Sequence, residues 1–65
     1  MEEMWLTRDE NDTLTLWRIK PKKYVKSGYW NNPSDIYEAI LDKRLFPEVQ
    51  WSDDEPTKVK LVIVK

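Results

Sequence analysis

Met4-Trp5-Leu6-Thr7-Arg8, then Asp9-Glu10-Asn11-Asp12, then Thr13-Leu14-Thr15-Leu16-Trp17-Arg18-Ile19: this stretch decides the fold. The first segment alternates, with Trp5 and Thr7 on one side and Met4 and Leu6 on the other. The third alternates as well. Leu14 and Leu16 share one face, and Thr13, Thr15 and Trp17 share the opposite one. A period of two is that of a β-strand. The four polar residues between them supply turn chemistry, with Asn11 the best candidate for a left-handed backbone. Two alternating strands around a short polar turn predict a β-hairpin.

Downstream, Pro21 ends the second strand or leaves it at an edge. Gly28 is the one glycine of the chain, which marks a backbone position that other residues fit poorly. Asn31-Asn32-Pro33-Ser34 is a turn cluster. Over residues 35–45 the apolar positions Ile36, Tyr37, Ile40, Leu41 and Leu45 fit a helical stripe, with Ser34 as N-cap and Asp35 in the first turn. The like-charge pair Glu38 and Asp42 works against that helix. The competing reading is a short strand over 36–41 followed by one helical turn at 42–46; spacing alone favours the helix. Pro47 closes the element, and Glu48 to Pro56 is an acidic irregular stretch around Trp51. Residues 57–64 predict a strand with Val59, Leu61 and Ile63 on one face. Val62 and Val64 add apolar weight to the other, so that end is expected to be covered on both sides. The expectation is one domain over residues 1–65, α+β and β-rich. It has a small antiparallel sheet with an N-terminal hairpin, a C-terminal strand and at most one short helix between residues 34 and 46.

Composition excludes several chemistries. The 65 residues contain no Cys and no His. That removes disulfides, thiolate metal sites and thiol nucleophiles, together with the commonest general base near neutral pH. Ser-His-Asp and Cys-His catalysis are impossible within the chain, and zinc would have carboxylates alone as ligands. The acidic start Met1-Glu2-Glu3-Met4 is unlike a secretory leader. The longest apolar run, Leu61 to Val64, is far short of a membrane span. A cytoplasmic, non-enzymatic protein without a cofactor and without membrane association is the expectation. The eight aromatic residues are too many for a disordered chain.

A further pattern lies in Met4-Trp5-Leu6, Leu16-Trp17, Lys20-Pro21, Tyr29-Trp30, Leu45-Phe46-Pro47-Glu48-Val49, Trp51, Glu55-Pro56 and Val59-Lys60-Leu61. In these aromatic and proline landmarks the chain resembles small uncharacterised proteins of gut bacteria and of their phages or other mobile elements. Those typically begin near Met-Trp and end with a Leu-Phe-Pro-Glu-Val-x-Trp block and a short strand. The resemblance covers most of the chain and implies no activity. It implies a strand over 36–41, against the spacing argument, and an extension at Met1 to Glu3. The chain departs from the pattern in having no Gly in its first turn.

Charge is segregated. Residues 1–12 carry net −4, residues 13–34 carry +5 and residues 35–65 carry −2. The cations Arg18, Lys20, Lys22, Lys23 and Lys26 interleave with Trp17, Tyr24, Tyr29 and Trp30. Such a pattern can follow phosphates while rings stack on bases. The competing reading is a solvated loop whose rings pack in the core or at an edge. It weighs more, because the chain is slightly acidic overall and five cations are few. Asp53-Asp54-Glu55 beside Trp51 lacks the Gly and the bidentate Glu of a calcium loop, and Asp9, Asn11 and Asp12 are explained by turn chemistry. Not all four Trp are easily buried in so small a domain. Trp30, in a loop between turn signals, is the expected exposed anchor of an interface. The candidate interaction surface is therefore Lys20, Lys22, Lys23, Tyr24, Lys26, Tyr29 and Trp30. A protein partner is the first expectation, through residues 24–30 or an unpaired sheet edge. Weak binding of single-stranded nucleic acid through 18–30 is the alternative. Self-association through an edge strand, with the C-terminal strand foremost, is the third.

Overall fold

The hairpin forms where the alternation places it. In the computed structural model, which describes residues 3–64, β1 (Glu3–Arg8) and β2 (Leu14–Trp17) pair antiparallel. Trp5 lies opposite Trp17, and Leu6 lies opposite Leu16. The turn departs from expectation at one residue. Asp12, not Asn11, takes the left-handed backbone, with φ of 80°. The Asn11 side chain is engaged otherwise, its Oδ1 accepting from the Thr13 amide at 3.1 Å. Asp12 is held in place by Arg8, whose Nη1 reaches both its carbonyl and its carboxylate at 3.2 Å.

Two more strands join this hairpin. β5 (Ala39–Leu41) pairs with β2, and β6 (Thr57–Lys60) pairs with β1, giving the antiparallel order β5-β2-β1-β6. Between β2 and β5 in sequence, β3 (Lys22–Tyr24) and β4 (Tyr29–Asn31) form a separate two-stranded hairpin. It is tied to the first turn by the Glu10 amide donating to the Gly28 carbonyl and the Trp30 amide donating to Asp9 Oδ1.

The helix suggested by the spacing of residues 35–45 does not form, and the described residues contain no helix. The domain is β-rich, built from two antiparallel sheets. Asp35 sits at φ 56°, outside the helical region. The Glu38 amide donates to Leu16 O at 2.8 Å and leads the chain onto the open edge of β2. An isolated helix of eleven residues is marginal in water, whereas β2 offers a row of backbone groups that need partners. Of the helical stripe only Leu41 packs on the core; Ile36, Tyr37, Ile40 and Leu45 are exposed. Residues 42–45 make a turn rather than a helical one, with the Leu45 amide on Asp42 O and Asp42 Oδ1 accepting from the Arg44 amide.

The core lies on the leucine face. Leu6, Leu14 and Val49 are buried there, with Leu16, Leu41 and Val59 packed against them. Arg8 falls on the same face by alternation and is 7% exposed. Its guanidinium donates to the carbonyls of Val49 at 2.7 Å, Lys43 at 3.0 Å, Leu45 at 3.0 Å and Phe46 at 3.2 Å. A buried cation satisfied this way moors the irregular segment 42–49 and seats Val49 in the core. Phe46, at φ 49°, is one of the residues so held. The opposite face of the sheet carries Thr7, Thr15 and Trp17, all buried. There Trp17 Nε1 donates to Thr7 Oγ1 at 2.7 Å.

The C-terminal strand is shorter and barer than expected. β6 ends at Lys60, opposite Glu3. Leu61, Val62, Ile63 and Val64 continue it with no strand partner among the described residues, and are 69%, 65%, 83% and 91% exposed. The expected cover on both faces is absent there. The β1–β6 register sets Lys60 opposite Glu3, the first residue of β1, so residues 61–64 run past the start of that strand.

Candidate interaction surfaces

The β3–β4 hairpin sorts the predicted site residues by the register of its strands. Lys23 lies opposite Trp30, while Lys22 lies opposite Asn31 and Tyr24 opposite Tyr29. Directly opposed residues share a face, so Lys23 and Trp30 turn inward together. Trp30 is 4% exposed, which ends its expected role as an exposed anchor. Its backbone is fixed by Asp9, and its ring is covered because the second hairpin folds back onto the first turn. Its indole Nε1 is buried with no hydrogen-bond partner among the described residues.

Lys23 is likewise an internal strut. Its ammonium donates to the carbonyls of Trp51 and, at 3.0 Å, Asp53. It also lies 4.3 Å from the Trp51 ring centroid and 5.9 Å from that of Trp30, within cation–π range. This one side chain ties the acidic stretch 51–54 to the second hairpin. Asp53 has a turn role as well, its Oδ2 accepting from the Gln50 amide.

The remaining cations are divided. Arg18 pairs with Glu38 at 2.8 Å and Lys20 with Glu55 at 3.8 Å. Lys22 and Lys26 are exposed and make no ion pair among the described residues. Tyr24 and Tyr29 are about two-fifths exposed with ring centroids 5.7 Å apart. The surface expected from sequence thus contracts to Lys22, Tyr24, Lys26 and Tyr29, with Lys20 neutralised at its margin and Lys23 and Trp30 inside.

A second surface was not anticipated. An open groove of about 540 Å³ runs between the second hairpin and the threonine face of the main sheet. Its apolar walls are Trp17, Tyr29, Tyr37 and Ile40, and Asp9 and Asp35 supply carboxylates; among the described residues no Lys or Arg lines it. Tyr37 meets Trp17 edge to face at 6.4 Å. Burial raises the Asp9 carboxyl above its ordinary range, against the opposing pull of the Trp30 amide. Tyr37 and Ile40 were legible as parts of a helical stripe or of a competing short strand over 36–41, not as groove walls, while the alternation of Thr13, Thr15 and Trp17 already marked the face they flank. A smaller groove, about 470 Å³, lies between Lys20, Lys22 and Lys23 on one side and Asp54 and Glu55 on the other. Its three cations face two carboxylates, and Lys20 pairs with Glu55.

Fold and surfaces together define a small β-rich domain with an aromatic, acid-lined groove. No family model, no curated protein and no solved structure matches the chain.

Proposed function

We propose that this chain is a non-enzymatic interaction module whose groove receives an extended, basic segment of a protein partner. The observation that supports this is the groove itself. It combines Tyr29, Tyr37, Trp17 and Ile40 with two carboxylates and, among the described residues, no cation, and it runs beside β5, an edge strand. Aromatic walls supply contact area at small entropic cost, and uncompensated carboxylates select a positive partner. Cationic side chains also gain from ring faces. Extended peptides dock on such sheet-edge grooves by main-chain pairing and side-chain pockets.

The test is a selection of displayed random peptides on the immobilised chain, with Tyr37→Ala as the counter-target. Enriched peptides carry Lys or Arg among apolar residues, and lose at least tenfold in affinity on Tyr37→Ala and on Asp35→Lys. Failure to enrich any peptide over the Tyr37→Ala variant overturns the reading.

A second reading has its own observation. The Tyr24–Tyr29 ring pair beside Lys22 and Lys26 suits single-stranded nucleic acid. With Lys22 and Lys26 as the two cations of this patch that make no ion pair among the described residues, log affinity would fall with log salt at a slope of about −1.4. A fluorescence titration with mixed-sequence single strands that fails to saturate at low salt removes it.

A further inference from the structure

We infer that Leu61–Val64 is a self-pairing segment, through which two copies of this chain join antiparallel, edge to edge, centred on Val62. The proposal stands apart from the groove. It starts from four consecutive apolar residues, two-thirds to nine-tenths exposed, that continue an edge strand with no strand partner among the described residues. Val, Ile and Leu directly after a bare edge strand favour an extended backbone and form a template for another strand.

The lysines identify the occupant and the register. Natural edges are guarded by charge, and Lys58 and Lys60 guard the paired part of β6, while Leu61–Val64 carries no charge. In a two-fold antiparallel pair, one residue lies opposite its own copy. Centring on 58 or 60 sets a lysine against itself, and centring on 59 sets Lys58 against Lys60. Centring on Leu61 leaves Lys60 diagonal to its own copy. Centring on Val62 puts Leu61 opposite Ile63 and Lys60 opposite Val64, with no lysine directly opposite or diagonal to a lysine. Like charges directly opposed destabilise a ladder, and apolar β-branched pairs stabilise it. The segment is therefore complementary to itself in the register that also covers all its exposed apolar residues.

Its size sets the strength. Four large apolar residues at these exposures offer on the order of 500 Å² per copy, or about 1,000 Å² for a pair, the low end for a specific interface. The dimer is accordingly weak and concentration-dependent.

Sedimentation equilibrium of the whole chain over a thousandfold concentration range tests this. The weight-average mass should rise from 7.9 kDa toward twice that value. Val62→Lys, which places like charges at the two-fold centre, should hold it at the monomer value with unchanged Trp fluorescence. Because the chain has no cysteine, Val62→Cys supplies a second readout. Opposed residues of an antiparallel pair fall within disulfide reach, so Val62→Cys should oxidise to a covalent dimer at least tenfold faster than Val64→Cys, whose copies lie far apart. A monomer at every concentration, or equal cross-linking at 62 and 64, overturns the proposal.

Discussion

Replacing Arg8 by Met keeps the apolar stem and removes every donor of the guanidinium. Five backbone carbonyls lose a partner: those of Asp12, Lys43, Leu45, Phe46 and Val49. Hydrogen bonds to a charged group contribute about 1.5–3 kcal/mol each, yet their sum overstates the effect. Burying the guanidinium itself costs several kcal/mol, and solvent reaches part of the loop once it opens. A net loss of about 3–5 kcal/mol is expected, as for breaking a buried charged network. The whole domain, at roughly 0.05–0.15 kcal/mol per residue, has about 3–10 kcal/mol to lose. Urea unfolding followed by Trp fluorescence gives the comparison. With a slope near 1 kcal/mol per molar, the midpoint should fall by about 3 M or the transition should vanish. Arg8→Lys should recover only a minor part, since one ammonium cannot reach carbonyls fanned around a planar fork. Limited proteolysis should then cut first within residues 43–48. A loss below about 1 kcal/mol with the loop still protected would refute the mooring role.

Three further outcomes follow from the same geometry. Lys23→Met should cost about 1–3 kcal/mol by stranding the Trp51 and Asp53 carbonyls, and should change the emission of Trp51. Gly28→Ala should cost about 1–2 kcal/mol by thermal unfolding, because φ is +79° and an added Cβ would come within 2.9 Å of the Glu10 carboxylate. For Asp9, burial raises the folded pKa above 3.8, so the folded state binds the proton more tightly than the unfolded one. Its favourable contribution is complete below the unfolded pKa and is lost as pH rises through the folded value. Asp9→Asn, which still accepts the Trp30 amide, should flatten the urea midpoint across that window without lowering it at neutral pH. A steeper pH dependence in the variant would contradict the assignment.

The alternation of residues 4–8 and 13–17 was sufficient for the hairpin and for both of its faces, because a strand's period of two is a local property of the chain. The Thr57–Lys60 strand was legible for the same reason. Absence of His and Cys likewise restricted the chemistry before any folding was considered. The rest depended on contacts remote in sequence. Residues 39–41 stood between a helix, favoured by spacing, and a short strand over 36–41, and the strand formed because β2 had an open edge facing them. Arg8 read as the polar end of a strand, and apart from Asp12 its partners lie 35 to 41 residues away. The basic segment 18–30 read as one surface. Pairing of Lys23 with Trp30 across the second hairpin turned two of its members inward, and Glu38 and Glu55 neutralised Arg18 and Lys20. Local periodicity is written in the sequence, but which edge, carbonyl or carboxylate a side chain meets is set by strand order and register, which arise only when distant segments pack.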